Sequence, residues 1–125
     1  NDIISVSLQK GKVSLMIDTN VHDMSLDIVV PLGLLINELV SNSLEHAFNE
    51  GHRGRILIEI KQEGTNHHFT YSDNGIWKEP SEESSSFGLE LIEILTDQMN
   101  GSVRRDVENG TKYYFDLNEK IKLKG

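Results

Sequence analysis

The chain has 125 residues, 37% of them apolar and 26% charged, which is room for one core between two layers and not for two, and a composition that excludes wholesale disorder. Twelve Lys and Arg against 20 Asp and Glu leave a formal charge of -8, which repels nucleic-acid phosphates; only the tail from Lys120 to Lys124 is locally basic, and it lacks interleaved aromatics. With no cysteine the chain has no disulfide framework, thiolate metal site or cysteine nucleophile, so cytoplasmic exposure is the expectation.

Ile4-Ser5-Val6-Ser7-Leu8 and Val13-Ser14-Leu15-Met16-Ile17 suit two strands, joined by a turn at Lys10-Gly11-Lys12. From about Leu26 to Phe48 apolar residues recur at three- and four-residue steps. Ile36, Leu39, Val40, Leu44 and Ala47 share one face, which predicts a buried amphipathic helix. Pro31 is placed in its first turn, and Asn49-Glu50-Gly51-His52-Arg53-Gly54 ends it. Arg55 to Lys61 alternates, with Ile56, Ile58 and Ile60 inward; His68 to Ser72 follows after Gly64-Thr65-Asn66, so a hairpin is expected.

Asp73-Asn74-Gly75 stops that strand. Residues 77–86 read as a polar lid, since Lys78 to Ser86 holds Pro80, three acids and four serines and has little apolar area to bury. Helical spacing returns from Phe87 to Met99, with a stop at Asn100-Gly101. Strands at about Ser102 to Val107 and Lys112 to Leu117 flank the turn Asn109-Gly110. No apolar stretch is read as approaching the roughly 20 residues of a membrane span, and no direct membrane contact is expected. Paired strands separated by two helices predict an α+β fold: a two-layer sandwich with a mixed, mostly antiparallel sheet and helices on one face.

Four places carry chemistry. Glu38 and Asn42, four residues apart, project from one helix face with Glu45 beside them, and oxygen ligands of this kind suit a hydrated Mg²⁺ or an ordinary solvated face. The Asp73 carboxylate is an acceptor that matches an exocyclic amine, with Gly75 allowing close approach of a flat base; an Asx turn is the simpler use of this tripeptide. Ser84-Ser85-Ser86-Phe87-Gly88-Leu89 opens a helix whose free amides suit a phosphate chain, or is merely a serine cap. Gly110-Thr111 offers a hydroxyl just before the last strand, within reach of a ligand or, more commonly, serving as a cross-strand Thr.

Taken in order, these boxes resemble the Bergerat-fold ATP-binding domain shared by histidine kinases, type II topoisomerases, chaperones and mismatch-repair ATPases. Pro31 to Phe48 is similar to the N box of one bacterial and archaeal histidine-kinase subfamily. So are Phe87-Gly88-Leu89-Glu90-Leu91-Ile92 and Gln98-Met99-Asn100-Gly101. The resemblance runs from about Val13 to Leu117.

It implies that Asn42 coordinates Mg²⁺ at the ATP phosphates and that Glu38 orients or deprotonates the attacking group. His46 would lie near the phosphates. Asp73 would read the adenine amine, with Gly75 beneath the base and Thr111 backing it through a water; Gly88 and Leu89 would mark the helix start where the lid meets the triphosphate. One departure stands out: after Asp73-Asn74-Gly75-Ile76 the family usually places a second glycine, and this chain has Trp77. An aromatic residue at a positive-φ position would be strained, which implies a different lid course or weaker nucleotide binding.

The resemblance further implies a sensor histidine kinase catalytic domain. It would form a C-terminal fragment of a larger protein, separate from the helical hairpin that bears the acceptor histidine. ATP, that hairpin and a downstream response regulator are the implied partners; the parent is free to be membrane-anchored. Of the five histidines only His46 falls on an expected helix, within the pocket, so the isolated chain is expected to bind ATP without phosphorylating itself. Two alternatives stay open: a catalytically impaired nucleotide-sensing module, and an anti-sigma-type serine kinase or stand-alone ATPase of the same fold.

Overall fold

The computed structural model describes residues 2–8, 12–21, 23–48, 53–75, 82–106 and 110–118, the side chains of residues 46–47 and 82–89 excepted. Six strands form one sheet: β1 (Asp2–Leu8), β2 (Val13–Thr19), β3 (Gly54–Glu63), β4 (Asn66–Asp73), β5 (Ser102–Asp106) and β6 (Thr111–Asn118). The helices are α1 (Leu26–Asn42), continued by a π turn at Ser43–Ala47, and α2 (Glu82–Gln98). Spatial order is β1-β2-β3-β4-β6-β5, and every neighbouring pair is antiparallel except β2 and β3. Parallel strands require a long crossover. Helix α1 lies within the connection between β2 and β3, and α2 within the one from β4 to the edge strand β5. The expected α+β sandwich with a mixed, mostly antiparallel sheet is therefore the fold observed.

Alternation decides which residues fill it. Ile56, Ile58 and Ile60 on β3, Phe69 and Tyr71 on β4, and Tyr113, Phe115 and Leu117 on β6 are buried on one face. They share a core with Ile28, Leu32, Leu35 and Leu39 of α1 and Ile92 and Leu95 of α2. Phe69 stacks on Phe115 at 4.9 Å between ring centroids, directly opposite it in the β4–β6 register. Cross-strand aromatic pairs of this kind stabilise the sheet beyond their buried area.

Pro31 sits on the buried face of α1, in the second turn from Leu26. By length and composition, the helical stretch Leu26–Glu45 is apolar enough to cross a membrane, contrary to the sequence expectation. A core helix acquires the same composition because its inward residues are selected for burial, and Ile28, Pro31, Leu32, Leu35 and Leu39 of this one are buried.

The second correction concerns α2. It begins at Glu82, so residues 82–86 are helical where the sequence reading expects lid; residues 77–81 of the expected lid lie outside the described residues. No glycine or proline interrupts Glu82 to Phe87, and two acids at a helix start are favoured by the helix dipole. The far end follows expectation: Asn100 takes φ 53°, and the Asn100 and Gly101 amides donate to the Asp97 and Thr96 carbonyls at 3.0 Å each. This is the Schellman termination, with asparagine in the left-handed position.

Candidate functional site

Strand β4 places His67, Phe69, Tyr71 and Asp73 on its buried face. The strand that supplies the core with two aromatic rings therefore delivers a carboxylate at its last residue, only 6% exposed. Ser43 Oγ donates to Asp73 Oδ2 at 2.7 Å, while the Gly75 and Thr111 amides donate to Oδ1 at 3.1 and 3.3 Å. Three donors converging on one carboxyl suit an ionised group that can only accept.

Behind Ser43 stands Tyr71. Its hydroxyl lies 2.5 Å from Ser43 Oγ and donates to the Leu39 carbonyl at 3.1 Å. Burial pushes the Tyr71 phenol well above its ordinary pKa, so it remains protonated at physiological pH. Tyr113, edge-on to Tyr71 at 6.3 Å, is raised by burial as well.

Two backbone features fix this end of the sheet. Asn74 Oδ1 accepts the Arg55 amide at 2.7 Å, and the Asn74 amide donates back to the Arg55 carbonyl at 3.2 Å. Gly110 has φ 103°, and a Cβ there would run into the Asp73 carbonyl oxygen. Only glycine lets the chain entering β6 approach β4 this closely. The next residue, Thr111, is 1% exposed, and among the described residues its Oγ1 has no hydrogen-bond partner. A buried hydroxyl of this kind, beside a carboxylate, has capacity for a bridging water or a ligand atom. A groove of about 470 Å³ at this sheet end is lined mainly from the helix-free face, by Ser14, Met16, Arg55, Leu57, Ser72 and Lys112, and also touches Asp73, Asn74, Gly110 and Thr111.

Glu38 and Asn42 lie one turn apart on α1, both half-buried, and Asn42 is the helix's last residue. The π turn starts immediately after it, with Ser43 fully buried. Turns of this type occur often at functional sites because they break the helical register and redirect side chains. Asn42 is thereby one residue from a group that holds Asp73.

Of the residues singled out from sequence, Asp73, Gly75 and Thr111 are joined by hydrogen bonds, and Glu38 and Asn42 form a neighbouring polar strip. His46 falls in the π turn, but its side chain lies outside the described residues, as does all of Trp77. Gly88 and Leu89 are corrected: they stand inside α2, roughly two turns past Glu82, rather than at its start. Sequence reading missed Ser43 and Tyr71. Strand alternation carried the signal for Tyr71, two residues before Asp73 on the same face. Ser43 follows Asn42 directly and continues the buried stripe four residues after Leu39, so its spacing was readable, but a count of apolar residues passes over a serine.

Residues 27–121 match the family model described as histidine kinase-, DNA gyrase B-, and HSP90-like ATPase. The chain belongs to this ATPase family. No curated protein sequence matches it. Among solved structures, it is similar to the histidine kinase domain of a blue-light activated histidine kinase from Erythrobacter litoralis, with a TM-score of 0.73 at 18% identity over 88% of this chain and 53% of that one. Acinetobacter baumannii histidine kinase AdeS gives 0.66 at 12% identity over 87% and 55%. The catalytic domain of histidine kinase ThkA, in a nucleotide-free form, gives 0.64 at 18% over 88% and 80%. At these identities the likeness establishes the fold, that of histidine kinase catalytic domains. The chain spans about half the length of the first two of these relatives.

Proposed function

We propose that this member of the ATPase family binds ATP with Mg²⁺ and donates the γ-phosphate to a histidine on a separate helical hairpin, as in two-component signalling. The observation that carries the reading is Asp73: a buried carboxylate at a strand end, held by three donors, beside the hydroxyl of Thr111, which has no hydrogen-bond partner among the described residues. A carboxylate is an acceptor that matches the exocyclic amine of adenine, and Thr111 Oγ1 supports the same ring edge through a water. Gly75, buried after the turn, lets the base lie against the backbone.

The oxygen donors present fit a magnesium ion completed by substrate. Among the described residues no group of three or more His, Cys, Asp or Glu side chains could hold a metal. Mg²⁺ commonly takes one or two protein oxygens and shares the rest between waters and phosphates, and the Asn42 amide oxygen supplies one. The ion would neutralise phosphate charge. Glu38, one turn back on α1, orients the attacking imidazole or takes its proton. The histidine nitrogen forms a bond to the γ-phosphorus as the bond to the ADP oxygen breaks, with positioning and charge neutralisation as the main source of rate. In this reading His46, in the π turn after Asn42, belongs near the phosphates, and Gly88 and Leu89 belong where the lid meets the triphosphate.

This assignment places the domain in the cytoplasm, where ATP is available, with a response regulator downstream. Radiolabelled ATP supplied to the chain with a two-helix acceptor domain tests it. Acid-labile, base-stable label on the acceptor histidine supports transfer, and none is expected on the chain alone. Trp77 in place of the family's second glycine favours one competing reading, a nucleotide-sensing module without turnover. Tight ATP binding with no label on any acceptor would favour that module.

A further inference from the structure

Strand register sets the lining of the groove on the helix-free face into two rows. Met16, Leu57, Ser72 and Lys112 are successive partners across β2, β3, β4 and β6, and Ser14 partners Arg55 one row nearer the sheet end. Neighbouring strands are roughly 4.8 Å apart, so the backbones that carry Arg55 and Lys112 are roughly 10 Å apart across the sheet. Ser72 stands on the strand between them, and Met16 and Leu57 lie to one side.

Charge is distributed unevenly here. The chain has a formal charge of -8, yet the side chains that line the groove from this face include two cations and no acid. Acids of the adjoining row are engaged: Asp18 pairs with Lys61 at 3.2 Å, and Glu59 accepts from Thr70 at 3.4 Å. Asp106, opposite Lys112 in the β5–β6 register, is outside the lining. Met16 and Leu57, partners in the β2–β3 register, are 43% and 36% exposed. Adjacent apolar side chains in a concave, polar-rimmed site favour a ligand with an apolar group of its own.

We propose that this groove binds an extended acidic peptide segment, in which one apolar residue rests on Met16 and Leu57 while flanking carboxylates meet Arg55 and Lys112. Charge complementarity selects the acids, and the Arg55 guanidinium is a planar fork that takes a carboxylate through two bonds. Ser14 and Ser72 add hydroxyl donors. In an extended chain, residues two apart share a face and are separated by roughly 6.8 Å, so acids on either side of one apolar residue reach both cations. No aromatic ring lines the groove for base stacking, which favours a peptide over single-stranded nucleic acid. The groove opens on the sheet face opposite α1 and α2 and meets the candidate nucleotide site only at the strand ends Asp73-Asn74 and Gly110-Thr111. Its occupancy does not depend on nucleotide binding.

A capped pentapeptide with glutamate at both ends and leucine at its centre, titrated into the isotope-labelled chain and followed by amide NMR shifts, tests the proposal. Saturable shifts should centre on Ser14, Met16, Arg55, Leu57, Ser72 and Lys112. Replacing both glutamates by glutamine, or the leucine by serine, should weaken binding about tenfold. Arg55→Gln and Lys112→Gln should each weaken it about threefold or more, whereas Lys61→Gln, which loses one charge elsewhere on the same face, should leave it unchanged. All three side chains lie outside the core, and thermal melting checks that each variant is folded. Shifts centred elsewhere, equal affinity for the glutamine peptide, an equal loss in Lys61→Gln, or no saturable shifts at millimolar peptide would overturn the proposal. An oligothymidylate that gives the same shifts with equal or tighter affinity would overturn it in favour of nucleic acid.

Discussion

Ser43 Oγ, one residue beyond the end of α1, donates to Asp73 Oδ2 at 2.7 Å across 30 residues of sequence. The bond joins the helix layer to the sheet at the point where β4 ends. Asp73 accepts from both sides, so Asp73→Ala leaves one buried hydroxyl and two buried amides without this acceptor. It should therefore lower unfolding free energy by about 1–3 kcal/mol, the usual cost of buried donors left unsatisfied. Urea unfolding without nucleotide measures it, and an unchanged midpoint would mean that the three donors contribute no net stability.

Gly110 combines φ 103° with close approach to the Asp73 carbonyl. Gly110→Ala meets both obstacles and should cost about 1–3 kcal/mol or more. Because the displaced strand carries Thr111, the nucleotide analogue should weaken in the same variant. Gly33→Ala is the control: nothing lies within 4 Å of a Cβ there, so a mid-helix alanine should be neutral or stabilising.

His68 on the helix-free face hydrogen-bonds Asp116 Oδ1 at 2.6 Å and pairs with Glu63 at 3.2 Å. The Asp116 contact is the main cause that raises its pKa above 6.5. A raised folded value means that the protonated pair stabilises the fold fully below pH 6.5 and that this contribution is lost as pH rises through the folded pKa. The side chain is 43% exposed, so the effect is small and weakened by salt. Proton NMR should give a His68 midpoint above 6.5 that falls towards it in Asp116→Asn; a midpoint unmoved by that change would contradict the pairing.

All six strands and both helices were legible in the sequence; β3, β4, β6 and the helices bury one face and leave a period, whereas the edge strands β1 and β5 are mostly exposed and were read from residue type and flanking turns. Ile56, Ile58 and Ile60 announce β3 by alternation, and Leu35 and Leu39 mark α1 by four-residue spacing. The start of α2 was not legible. Glu82 to Ser86 contains no apolar residue, so pattern reading has nothing to count, although nothing in it opposes a helix. At the site, Asp73, Gly75 and Thr111 were readable as residue types next to turns. Their mutual bonding depends on the β4–β6 register, which pairs Asp73 with Thr111 and which no single segment encodes. Ser43 was passed over for a third reason: it continues the buried stripe of α1 four residues after Leu39, but a serine does not register in a count of apolar residues.

The most direct test is calorimetric titration of the chain with a non-hydrolysable ATP analogue and Mg²⁺, in parallel with Asp73→Ala, Asn42→Ala and Trp77→Gly. The native chain should bind. Asp73→Ala should lose binding by about tenfold or more, and Asn42→Ala should lose the part that depends on Mg²⁺. Tighter binding in Trp77→Gly would identify Trp77 as an impairment. No binding by either the native chain or Trp77→Gly would contradict the ATP-binding assignment and leave the kinase resemblance as one of ancestry.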